Sequence, residues 1–77
     1  MADRNELDRA INEFNRAIEL DPRYALAYGN RGLALMRQGK DAEAEKDFER
    51  ALALRPELKA ELELNVEKIK KWRLTNR

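Results

Sequence analysis

The chain has 77 residues, 40% of them charged and 43% hydrophobic, with no cysteine, no histidine and a net charge of +1. That length allows one small domain with a marginal core, and the missing thiols and imidazoles exclude disulfides, cysteine chemistry and the usual His/Cys zinc sites. No apolar run approaches the roughly 18 residues that span a bilayer, and near-neutral charge gives no reason to expect a nucleic-acid or membrane-surface partner.

The N-terminus, MADRNELDRA, is charged throughout and is no secretory signal. With the lack of cysteine, this suits a cytoplasmic compartment. Leu7, Ala10, Ile11, Phe14, Ala17 and Ile18 recur at steps of three and four and predict a helix over 3–20. Asp3, with Glu6 three residues on, resembles a capping box. Asp21-Pro22 stops the helix, because a residue before proline is pushed out of the α region.

A second helix is expected from Tyr24 to Gln38, with Gly39 in the left-handed position that follows many helices. A third runs from Asp41 to Leu54, has Ala44, Phe48, Ala51 and Leu52 on its inner face, and ends at Arg55-Pro56. The fourth starts near Pro56 or Glu57, turns Leu58, Leu62, Val66 and Ile69 inward, and frays after Trp72 into a tail over 74–77. No segment alternates with a period of two, so the fold is all-α. The short connections make the four helices antiparallel neighbours.

Gly32 lies inside the second helix, where glycine costs about 1 kcal/mol relative to alanine. Such a residue implies a crossing helix that leaves no room for a Cβ. Ala44 and Ala51 offer matching small surfaces, and Phe48 and Tyr28 are the knobs that fill the remaining space.

The chain also repeats itself. RAIELDP over 16–22 returns as RALALRP over 50–56, 34 positions on, and Ala10/Ala44, Phe14/Phe48 and Ala17/Ala51 share that offset. A fixed period of this size marks a repeat architecture. Tyr28-x2-Arg31-Gly32-x2-Leu35, then Ala44-x3-Phe48, then Ala51 and Pro56, resembles the tetratricopeptide repeat (TPR). Arg31 departs from the usual leucine, Glu45 stands where an apolar residue is common, and Val66 takes the place of the next unit's glycine.

The resemblance implies a right-handed superhelical fragment of helix-turn-helix units. A half repeat covers 3–22, a full repeat 23–56 and a capping helix 57–73. Together with Met1, a start in mid-repeat reads as an excised or engineered piece. The resemblance further implies a protein-protein interaction scaffold, in which first helices line a concave, peptide-binding face. On the second helix that face is expected to present Leu26, Asn30, Leu33, Met36 and Arg37, with Gly29 among them. Asn30 matches one residue of the five-residue clamp for C-terminal carboxylates found in some TPR proteins. Ala60 and Leu64 replace its basic members, so that clamp is not expected.

The partner expected first is another copy, and a peptide held by a single chain on the concave face is the alternative. Leu7, Ile11 and Phe14 on the first helix are expected to lie partly uncovered. Residues 1–22 hold three basic and six acidic side chains, whereas 59–77 hold six basic and three acidic ones. An acidic head and a basic tail favour head-to-tail contact, and exchange of a helix would give a dimer. The tail KIKKWRLTNR reads as a capping helix kept in solution by lysines, with Trp72 over the core edge, ahead of a nucleic-acid or lipid contact.

Nothing points to chemistry. Thr75, Tyr24 and Tyr28 carry the only hydroxyls and have no base beside them. The alternating Asp41, Glu43, Glu45, Asp47 and Glu49 scatter around a helix and read as a solvated face, not a Ca²⁺ or Mg²⁺ site. No enzyme, cofactor or metal is expected.

Overall fold

The computed structural model describes residues 4–75. They form α1 (Arg4–Leu20), α2 (Ala25–Arg37), α3 (Asp41–Leu54), a 3₁₀ turn at Pro56–Leu58 and α4 (Lys59–Thr75), with no strand among them. Asp3, the expected cap of α1, lies outside the described residues. So does the end of the tail, while Leu74 and Thr75 continue α4 instead of fraying.

Each break in helix has a local cause. After α1, the Asp21 side chain accepts a hydrogen bond from the Arg23 N–H at 3.1 Å, and the Tyr24 N–H donates to the Asp21 carbonyl at 3.0 Å. Pro22 sits inside this turn and cannot extend the helix. After α2, Gly39 adopts a φ of 83°. The Lys40 N–H then reaches the Leu35 carbonyl at 2.9 Å and the Gly39 N–H reaches Met36 at 3.0 Å, closing a Schellman motif. After α3, Arg55 is extended at φ −142°, as a residue before Pro56 should be.

The molecule measures 35 × 26 × 18 Å, so it is about two helix layers thick. α2 is the central helix: α1, α3 and α4 all pack on it. Accordingly it buries Ala25, Gly29, Gly32 and Met36 on one side and Ala27 and Ala34 on the opposite side, leaving a strip open between them. α4 packs on α2, where the Leu62 methyl lies 3.2 Å from where a Gly29 Cβ would be. Ile69, 1% exposed, joins Met36 and Ala44 in the core, with Leu33, Leu35, Phe48 and Val66 packed against them.

The glycine crossing holds as expected. A Cβ on Gly32 would stand 2.6 Å from the Phe48 ring and 3.1 Å from the Ala44 carbonyl oxygen. Ala44 and Ala51 beside it are fully buried. Gly32→Ala gains about 1 kcal/mol of helix propensity and loses about 1–3 kcal/mol to overpacking. A net loss of roughly 1 kcal/mol is expected, read as a lowered thermal midpoint.

Candidate partner-binding surfaces

The side chains predicted to meet a partner divide into those the fold consumes and those it leaves free. Met36 is 5% exposed beneath Ile69, so its expected outward position is corrected. Gly29, placed on the same open face, is likewise covered by Leu62. Leu7 is 7% exposed and therefore not part of an open face on α1. In each case a neighbouring helix, either α4 or α2, lies over a residue that a two-helix view leaves open.

What remains of the concave strip on α2 is Leu26 (44% exposed), exposed Asn30, half-buried Leu33 and, at the far end, exposed Arg37. Leu26, Asn30 and Leu33 line a slit of about 30 Å³ between α2 and α4, with Leu58 and Asn65 on its other wall. Neither asparagine amide is hydrogen-bonded to another described residue.

A second groove of about 330 Å³ runs between α1 and α3, lined by Ile11, Asn15, Arg31, Lys46, Asp47 and Arg50 among others. Its floor is an ion pair that the sequence did not announce. Arg31 donates from Nε and Nη2 to the two carboxylate oxygens of Asp47 at 2.8 and 2.7 Å, and from Nη1 to Asn15 Oδ1 at 2.9 Å. Asp47 is 2% exposed, which corrects its place in a solvated acidic row. Asp41, in the same row, does face solvent and pairs with Arg73 at 3.0 Å. The hydrogen bond to Asp47 raises the Arg31 pKa against the opposing effect of burial. Arg31 and Arg50 also lie 5.6 and 5.9 Å from the centre of the Tyr28 ring, whose hydroxyl donates to the Pro22 carbonyl at 3.0 Å. Arg31 and Asp47 stand sixteen places apart in one repeat, and the readable signal was an arginine where the pattern has leucine, sixteen residues before an acid inside an apolar stripe.

A third groove, of about 310 Å³, opens between α3 and α4. Phe48, Leu52, Leu62 and Val66 form its floor, with Lys59, Glu63, Glu67 and Lys70 at its rim. Among the described residues no group of three or more acidic side chains is placed to hold a metal, and no helix is long and apolar enough to cross a membrane.

A TPR repeat profile matches residues 2–39 and a tetratricopeptide repeat profile matches 25–58. The chain is 36% identical over 66 residues to the DnaJ homolog subfamily C member 7 homolog of Dictyostelium discoideum, covering 86% of this chain and 12% of that protein. It is 47% identical over 53 residues to Tetratricopeptide repeat protein 36 of Bos taurus, covering 69% of this chain and 28% of that protein. An uncharacterized protein of Methanocaldococcus jannaschii is 38% identical over 58 residues, which cover 75% of this chain and 67% of that one. The chain thus spans well under a third of the first two relatives. No solved structure matches at comparable significance. Four helices, a 34-residue echo, the Gly32 crossing and the matched profiles agree, and the chain belongs to the tetratricopeptide repeat family, whose repeats generally mediate protein-protein interaction.

Proposed function

We propose that the chain is a cytoplasmic protein-interaction module, without chemistry of its own, that associates with further copies of itself. The supporting observation is the flank of α1. Ala10, Phe14 and Ala17 are the counterparts, 34 places back, of Ala44, Phe48 and Ala51. On α3 that surface is closed by α2, leaving Ala44 and Ala51 at 1% and 0% exposure. On α1 the counterparts Ala10 and Ala17 are only half-buried, Phe14 is half-buried as Phe48 is, and α2 is the main helix packed on α1 among the described residues. Leu20 beside them is 89% exposed. The face offered to another copy is therefore centred on Phe14; it excludes buried Leu7 and also Ile11, which lines the groove toward α3. Sedimentation velocity across a dilution series should show wild-type mass rising above 9.0 kDa, and Ala17→Glu should hold it there. A wild-type chain that stays single at every concentration would sink this reading.

A second reading, a single chain that holds an extended peptide, draws support from the slit between α2 and α4. Its unpartnered Asn30 and Asn65 amides suit a peptide backbone, and Leu26 and Leu33 suit apolar side chains. Peptides selected from a random display library should bind wild type and be lost with Leu33→Asp or Asn30→Ala at unchanged melting temperature. Peptides indifferent to both changes would count against this site.

A further inference from the structure

We infer that the acceptor for α1 of one copy is the groove between α3 and α4 of the next, which makes the assembly head-to-tail instead of two-fold symmetric. This rests on the self-association reading and names the partner face that it requires.

Register is the first argument. α1 corresponds to α3 moved back by one 34-residue period, and α4 begins at Lys59, one period after the start of α2 at Ala25. α4 of one copy followed by α1 of another thus restores the order in which α2 is followed by α3.

The roll of α4 supplies the second. On α2 the positions Tyr28, Gly32 and Leu35 serve the contact with α3. On α4 the same positions are Leu62, Val66 and Ile69, and Leu62 and Ile69 turn back onto α2. Val66 forbids a close crossing of the Gly32 kind, where a Cβ would meet the phenylalanine ring at 2.6 Å. An incoming helix is held further out, and its side chains, not its backbone, reach the floor of Phe48, Leu52, Leu62 and Val66. A groove of about 310 Å³ is at the low end for a specific pocket, enough for the large side chains of one or two helical turns. Phe14 between Ala10 and Ala17 is such a set, one bulky residue flanked by two that permit approach.

Charge orients the pair. By 100° per residue, Glu6 and Glu13 border the open flank of α1 next to Ala10 and Ala17. The groove's rim carries Lys59 and Lys70 together with Glu63 and Glu67, so it is neutral in sum, and the bias comes from the two end segments taken whole. At larger scale, the 1–22 segment has a surplus of three acidic groups and the 59–77 segment a surplus of three basic ones. A symmetric α1–α1 contact would bring the two acidic heads together, a head-to-tail contact an acidic head and a basic tail. Such a heterologous contact does not close on itself, so copies add in series.

The test is complementation between two blocked chains. Ala17→Glu blocks the donor face, and Leu52→Glu blocks the acceptor groove. Lys59→Glu with Lys70→Glu is a second acceptor block that leaves the apolar floor intact. Circular dichroism first verifies that each folds. By light scattering, each variant alone should stay at the 9.0 kDa of one chain, and an equimolar donor-blocked and acceptor-blocked mixture should give twice that mass and no more. Wild type should give a ladder of species that shortens in high salt. If Ala17→Glu alone is single and both acceptor blocks associate like wild type, self-association stands and the groove is not its acceptor. If blocked chains fail to complement each other, the head-to-tail order is wrong. If wild type never associates, the reading beneath the inference falls as well, and the groove is left to a helix of another protein.

Discussion

Asp47→Ala should cost about 3 kcal/mol, the low end of the ~3–5 kcal/mol lost when one member of a buried ion pair is removed. The low end applies because the Arg31 side chain retains 19% exposure and can turn partly toward water. Removing Asp47 strands a guanidinium that makes two hydrogen bonds to it at 2.8 and 2.7 Å and leaves it the hydrogen bond to Asn15 and the face of the Tyr28 ring. At roughly 4–8 °C per kcal/mol for a domain of this size, the thermal midpoint falls by at least about 12 °C. The double change Arg31→Leu with Asp47→Ala should recover most of the loss, since it removes the stranded charge and restores the leucine that the repeat pattern carries there. If the double variant melts as low as the single one, the pair is not an isolated compensation. The pH dependence follows from the sign of the shift. The folded pKa of Arg31 lies above its unfolded value, so its contribution is complete below the unfolded value and is lost only as pH rises through the folded one. Melting between about pH 5 and 9 should therefore show no step due to Arg31.

Ile69→Ala should release α4. The side chain is 1% exposed between Met36 and Ala44, and deletions of this kind cost about 2–5 kcal/mol. Ile69 is the most deeply buried side chain of α4, ahead of Leu62 at 8%. Leu62 covers Gly29, Val66 touches the core edge, and the Arg73–Asp41 pair is exposed and contributes roughly 0–1 kcal/mol. Hydrogen exchange should show the amides of α4 losing protection while those of α2 and α3 keep theirs. Uniform loss across all four helices would mean that α4 is integral to the fold and not a docked cap.

Residues whose role is local are legible in the sequence itself. Asp21-Pro22, Gly39 and Arg55-Pro56 break helices through backbone geometry that no neighbour alters. Gly32 was legible for a different reason, since glycine inside a helix is costly unless something crosses there. Met36 and Leu7 were misplaced because periodicity gives one face per helix, whereas α2 is buried on two opposite sides and takes three helices against it. Its sequence ALAYGNRGLALMR has no charge before Arg31, which is the sign of a helix surrounded on most sides. Asp47 was misplaced because its alternating acidic neighbours suggested solvent, while only its register against Arg31 revealed the pair. The inward face of α4 was legible, with Leu62 and Ile69 buried and Leu58 and Val66 half-buried, although Leu64 and Leu74, 55% and 68% exposed, blur its pattern.

The proposed self-association depends on the open flank of α1. Static light scattering on a sizing column, over a hundredfold range of concentration at low and high salt, addresses it without any variant. A mass that climbs from 9.0 kDa with concentration and falls back at high salt is the expected result. A constant 9.0 kDa under all conditions would contradict the proposed self-association and turn attention to the slit beside Asn30.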